Sequence, residues 1–137
     1  MKFEVARKGT RTSNVKVRIS KPAKSINFSA GFLRKYNLNK DNTKFIKQGY
    51  SEESDGLIAV SFYNEDDNTG DLLKLSFSKH GTTATCGVNA LLSTFNLDIL
   101  EIAGDYDEKA IEGPLEIPGF AKIGFILHPN KRNKKYS

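Results

Sequence analysis

Two histidines, one cysteine and a run of carboxylates are the residues of this 137-residue chain whose types could carry catalytic or metal chemistry. His80 and His128 each sit beside a turn former, Gly81 in one case and Pro129 in the other. The two lie 48 residues apart, each in a turn-like context. They read as an exposed hairpin residue and a strand end. Cys86 closes a run of small residues and reads as a packing thiol rather than a nucleophile. A lone cysteine excludes an intramolecular disulfide and any multi-cysteine metal site. The acidic run Glu65-Asp66-Asp67-Asn68-Thr69-Gly70-Asp71 has the ligand types of a calcium loop. However, Phe77 stands where an EF-hand aligned on Asp66 needs its bidentate Glu, and the flanks read as strands, so a charged hairpin tip is expected. The glycines are scattered, with none in the strand–loop–helix context of a phosphate loop. These residues form no catalytic constellation. A non-enzyme with no cofactor and no metal is expected.

The remaining chemistry is electrostatic. Residues 1–48 hold thirteen Lys/Arg against two acids, residues 49–117 hold three against fourteen, and the last twenty hold five bases and no acid. The overall +5 therefore hides a chain sorted by charge, whose basic part could meet a polyanion. Arg7, Lys8, Arg11, Lys16, Arg18, Lys21 and Lys24 recur along an extended arm and strand. Lys16 and Arg18 share a strand face, as tracking a phosphate backbone requires. Arg34 and Lys35 extend the basic bias into the first helix, while Lys74 and Lys79 are isolated bases in the hairpin region. Unpaired bases also need flat partners. Phe28, Phe32, Phe62 and Phe77 fit the apolar periodicity of a core. Tyr36, abutting Arg34-Lys35, and Tyr63, opposite Phe62 in strand alternation, are the candidate stacking residues. No Arg or Asn pattern marks a major-groove recognition helix.

The elements that must position these groups are mostly strands. Val15, Val17 and Ile19 alternate with Lys16 and Arg18, a period of two. An extended piece at 25–28 leads into a helix at about 30–37. Strands follow near 43–50, 57–63, 71–78 and 82–86, separated by Asp55-Gly56, Asn68-Thr69-Gly70 and His80-Gly81. A second helix near 88–96 precedes strands near 98–106 and 120–127, with Gly113-Pro114 and Pro118-Gly119 breaking the segment between. The fold class is α+β: one strand-rich domain over 1–128 with antiparallel hairpins and two short helices, then a basic tail at 129–137 expected to be mobile. The N-terminus has no apolar run of signal-peptide length, and no stretch approaches the ~18 apolar residues of a membrane span. A soluble, cytoplasmic protein is expected.

An internal repeat runs through this order. Phe32-Leu33-Arg34-Lys35-Tyr36-Asn37-Leu38 matches Leu91-Leu92-Ser93-Thr94-Phe95-Asn96-Leu97 at an offset of 59. The first apolar pair and the aromatic share one helix face. Asn tolerates the left-handed conformation that ends a helix, and the next Leu can fold back on it. Duplicated halves and two similar helix ends both account for the match.

The stretch Lys79-His80-Gly81-Thr82-Thr83-Ala84-Thr85-Cys86-Gly87-Val88-Asn89-Ala90-Leu91-Leu92 resembles the Lys/Gly hairpin, last strand and helix entry of small single-stranded-DNA binders. These are proteins of the positive-cofactor-four and Whirly type. The resemblance covers about residues 43–97 as a ββββα unit, and implies a dimer that grips single strands across its sheets. It departs from that pattern at the place where those proteins carry their helix aromatic, and in having only Lys74 on the strands at 57–63 and 71–78. A second stretch, Ile26-Asn27-Phe28-Ser29-Ala30-Gly31-Phe32-Leu33-Arg34-Lys35-Tyr36-Asn37-Leu38, resembles the strand–helix–strand of swapped-hairpin regulators of duplex DNA. Asn39-Lys40-Asp41-Asn42 stands where those proteins carry Gly-Asp.

The leading expectation is a homo-oligomeric binder of nucleic acid, single-stranded DNA favoured, of the kind phages or mobile elements use in replication, recombination or transcription. The alternatives are the duplex regulator and a protein-interaction module whose working face is acidic: Asp105, Asp107, Glu108, Glu112 and Glu116.

Overall fold

The computed structural model describes residues 2–3, 14–120 and 123–134. In chain order its strands are β1 (Val17–Ser20), β2 (Ser25–Phe28), β3 (Phe45–Ser51), β4 (Leu57–Tyr63), β5 (Leu73–Lys74), β6 (Ser76–Phe77), β7 (Ala84–Gly87), β8 (Gly104–Tyr106), β9 (Ile111–Leu115) and β10 (Gly124–Leu127). The helices are α1 (Ala30–Lys35), α2 (Asn89–Phe95) and the single turn α3 (Ile99–Ile102). Two antiparallel five-stranded sheets result. The first runs β6-β7-β2-β1-β8 and the second β5-β3-β4-β10-β9. The α+β class expected from sequence is the one observed.

Alternation decides which face of each sheet is buried. In the first sheet Val17 and Ile19 of β1, Ile26 and Phe28 of β2, and Ala84 and Cys86 of β7 point inward. In the second, Ile46, Ile58, Val60, Phe62, Phe125 and Leu127 do so. The two inner faces share one core. Phe28 meets Phe62 across the sheets edge-on, with ring centroids 5.2 Å apart. Helix α1 adds Phe32, whose ring lies 5.3 Å from Phe28 and 5.0 Å from Phe125. Offset and edge-on aromatic pairs add to the burial of their large apolar areas.

The two helix ends have the same construction. Asn37 and Asn96 both hold left-handed backbones, at φ 53° and 52°. Leu38 N–H donates to the Leu33 carbonyl at 2.8 Å, and Leu97 N–H to Leu92 at 2.9 Å. These are the closing bonds of a helix whose next residue folds back. The offset of 59 therefore holds through both helices. It slips in the strands before them: Ile26 and Phe28 face the core, whereas Thr85 and Gly87, 59 residues on, face outward and are exposed.

Several expected elements form differently. The strand expected at 98–106 begins as α3, because Asp98 accepts from the first-turn backbone and Glu101 reaches back to the Asp98 N–H at 3.2 Å. This Asp-x-x-Glu capping box starts a helix despite the β-branched residues around it. The strand expected at 71–78 is divided, with β5 in the second sheet and β6 in the first. The 43–97 segment is therefore no single four-stranded sheet followed by a helix. Residues 64–72 cross over β3 rather than closing a hairpin, since β4 and β5 flank it on opposite sides. Strand β9 runs through Gly113-Pro114, expected to be a break. The basic tail is docked as far as Lys134: Arg132 donates to the carbonyls of Ala103, Pro129 and Leu100, and Asn133 bridges to β8.

Because buried Phe125 ties the second sheet to α1, Phe125→Ala is expected to cost about 3–5 kcal/mol in urea unfolding. Exposed Ile123→Ala should stay within about 0.5 kcal/mol of the native protein.

Candidate nucleic-acid interface

The outward face of the first sheet carries polar side chains in register. Arg18 pairs across the strands with Asn27 on one side and Asp105 on the other. Asn27 pairs with Thr85, and Thr85 with Ser76. One row, Ser76-Thr85-Asn27-Arg18-Asp105, thus crosses all five strands. The Thr85 hydroxyl donates to Asn27 Oδ1 at 2.7 Å, and Asn27 Nδ2 donates to the Arg18 carbonyl at 3.3 Å and to Ser25 Oγ at 3.1 Å. A shallow groove of about 390 Å³ lies on this face, with Lys16, Arg18, Asn27, Ser76, Ser78 and Thr85 among its walls.

Asp105 is the acid on this row and lies beneath its cations. It is 5% exposed, and Arg18 grips both its oxygens, Nε at 2.6 Å and Nη2 at 3.1 Å. Lys16 Nζ adds a third contact at 3.5 Å. The hydrogen bond from Arg18, against the opposing cost of burial, holds the carboxyl below the usual aspartate range. The Arg18 and Lys16 side chains remain 44% and 36% exposed. Two cations thus face solvent over one buried anion.

Folding also mixes charges that are sorted along the chain. Besides Lys16 and Arg18 on Asp105, Lys35 pairs with Glu108 at 3.3 Å, and the His128 imidazole shares a hydrogen bond with Glu112 at 3.0 Å. The Glu108 hydrogen bond raises the Lys35 pKa. A wide neighbouring cleft of about 840 Å³ is correspondingly mixed, holding Lys16, Arg34 and Lys109 with Asp105, Asp107 and Glu108. The acidic set proposed as an interaction face is divided by these pairs, with Glu116 in a separate loop beside Ile117.

The sequence candidates fall into separate places. Lys16 and Arg18 lie on the first sheet's outer face. Lys21 and Lys24 are exposed in the β1–β2 turn, and Lys79 is exposed in the β6–β7 turn whose Ser78 and Thr83 line the groove. Arg34 and Lys35 are exposed on α1. Tyr36 is drawn away from a stacking role: its ring packs 5.0 Å from Phe32 and 4.7 Å from Phe125. Tyr63 does lie on an outward face, but of the second sheet, in a row Tyr63-Phe45-Lys74. Arg7, Lys8 and Arg11 lie outside the described residues. Asn14, at the boundary of that arm, accepts from Ser29 Oγ at 2.8 Å. Ser29 itself lines the groove. The sequence reading passed over Asn27, Thr85 and Ser76, although strand alternation with Ile26, Phe28, Ala84 and Cys86 marks the first two as outward.

Cys86 is buried, which raises its pKa, and exposed His80 lies in a turn. Among the described residues no cluster of three or more His, Cys, Asp or Glu could hold a metal ion, and no helix is long and apolar enough to cross a membrane. The chain matches no protein-family model, no curated protein and no solved structure.

The Asp105 carboxyl titrates lower folded than unfolded. The stability it contributes is therefore present above the ordinary aspartate pKa of ~3.9 and is lost as pH falls through the depressed folded value. Thermal melts from neutral pH downward should show a steeper acid limb for the native protein than for Asp105→Asn. Equal acid limbs would remove Asp105 as a source of that slope.

Proposed function

We propose that this chain is a non-enzymatic nucleic-acid-binding protein that holds a phosphate backbone on the outward face of its first sheet, with single strands preferred. The observation that carries the proposal is the half-exposed Arg18, with Lys16 beside it, standing over a buried Asp105 in a row continued by neutral hydrogen-bonding side chains. Lys21 and Lys24 lie in the turn at one end of β1 and β2. Lys79 lies in the turn beyond β6 and β7 at the other. Cations there replace condensed counterions along a backbone, and Ser, Thr and Asn reach phosphate, sugar or base edges.

Width argues for a single strand. The β1–β2 hairpin is enclosed by β7 and β8. Five strands at ~4.8 Å spacing span about 19 Å, more than the ~12 Å major groove that admits a two-stranded ribbon. A polar face of this width instead suits a single strand laid across it. The aromatic contribution is smaller than the sequence suggests. Tyr63 and Phe45 face outward from the other sheet, so they cannot stack on bases held over Arg18. The acidic-module alternative is weakened because Asp105, Glu108 and Glu112 are engaged within the chain.

Titration of labelled single-stranded and duplex oligonucleotides at two salt concentrations tests this reading. Tighter single-strand binding that falls steeply with salt is expected. Exposed Thr85→Glu leaves the Arg18–Asp105 pair intact but puts an anion in the row, and should weaken binding about tenfold, or 1.4 kcal/mol. The Tyr63→Ala/Lys74→Ala double variant should bind as the native protein does. Absence of binding at low salt would overturn the proposal.

A further inference from the structure

Exposed strand edges invite pairing with other chains, and folded proteins blunt them. Four edges of this molecule are blunted. On β8, Asn133 exchanges backbone bonds with Asp105 at 2.8 and 2.9 Å. Strand β9 carries Pro114, which lacks an N–H. The end strands β5 and β6 are two residues each. Because β5 is so short, it pairs with β3 only at Phe45 and Ile46, and among the described residues no strand pairs with the rest of β3 on that side, where helix α2 packs nearby.

The open segment presents hydrogen-bonding groups in a defined pattern. Leu75 N–H donates to the Lys44 carbonyl at 3.0 Å, so even-numbered residues of this strand turn their backbone groups toward the β5 side. Beyond β5, Gln48 and Tyr50 turn theirs to the same side, with no strand among the described residues beside them. Apolar surface flanks this edge. Phe95 of α2 is 41% exposed and packs 5.6 Å from Tyr50. A groove of about 450 Å³ lined by Gly49, Leu57, Ala59, Phe120 and Ile126 adjoins it.

We propose that two copies of the chain associate through this edge, pairing β3 antiparallel to β3 about a two-fold axis at Gly49. The charges favour a second copy over an unrelated strand, because the segment is complementary to itself. Lys47 lies near one end and exposed Glu53 just past the other. Antiparallel pairing about Gly49 sets Gln48 opposite Tyr50 and Lys47 opposite Ser51. It points Lys47 toward the turn that follows the second copy's β3, where Glu52 and Glu53 are exposed. Lys47 already donates to the Gly119 carbonyl at 2.6 Å and keeps two further donors. Five paired residues are a small interface alone, well under the ~800 Å² per partner of a stable one. Phe95 and the groove supply the apolar area beside them. The pairing joins the two second sheets and leaves the polar face of each first sheet open. It is independent of nucleic-acid binding.

Lys47→Cys and Ser51→Cys chains, mixed under oxidising conditions, test the register. Residues 47 and 51 form a non-hydrogen-bonded pair with Cα atoms ~4.5 Å apart, within disulfide range. A cross-linked dimer is expected from the mixture and from neither variant alone, with a dimer mass for the native protein by light scattering. Gln48→Pro removes an N–H that faces the open edge, not β4, together with the side-chain bond to the Gly87 carbonyl; it should give a folded monomer by circular dichroism, whereas Gln48→Ala, which loses only that side chain, should remain a dimer. A native protein that is monomeric at every concentration, a dimer that the mixed cysteines do not cross-link, or a folded Gln48→Pro dimer would each overturn the proposal.

Discussion

The Asp105 carboxylate, buried beneath Arg18 and Lys16, is the constraint on which the charged part of this structure depends. A carboxylate at 5% exposure is tolerated only with opposite charge and hydrogen bonds around it. Asp105 lies far along the chain from β1, so the pair fastens β8 and the docked C-terminal segment to the basic strand. Removing one partner of a fully sealed ion pair costs about 3–5 kcal/mol. Here Arg18 is 44% exposed, so solvent screens the pair and the cost is smaller. The same partial exposure leaves the cations accessible from outside while their counter-anion is not.

The charge asymmetry of the sequence changes meaning once the chain is folded. Read linearly, a basic half and an acidic half offer opposite surfaces to opposite partners. In three dimensions Lys16, Arg18 and Lys35 are met by Asp105 and Glu108 from the acidic half. What distinguishes the proposed binding face is then the depth at which its acid lies, rather than the number of its bases. Depth follows from tertiary packing, which a linear charge count does not contain.

The strands and helices were legible where a local rule acts alone. The β1 alternation, β4 at 57–63 and the two Asn-Leu helix ends follow from period, turn residues and backbone preference. The errors arose where elements far apart in sequence compete. The 71–78 stretch reads as one strand, yet its halves satisfy different sheets. Tyr36 beside Arg34-Lys35 has the composition of a stacking site, but α1 turns its ring onto Phe125, nearly ninety residues away. Asn27 and Thr85 became a candidate site only when β2 and β7 were known to be neighbours. The capping box at Asp98-Glu101 was readable, and the β-branched residues beside it obscured it.

The two proposed surfaces lie on different sheets: a polar face for a phosphate backbone and the β3 edge for a second copy. The most direct measurement of the central claim is amide chemical-shift mapping of the isotope-labelled protein during titration with a short single-stranded oligonucleotide. The account predicts shifts concentrated at Arg18, Lys21, Lys24, Asn27 and Thr85. Shifts confined to Phe45, Tyr63 and Lys74 on the opposite sheet, or no shifts at low salt, would contradict it.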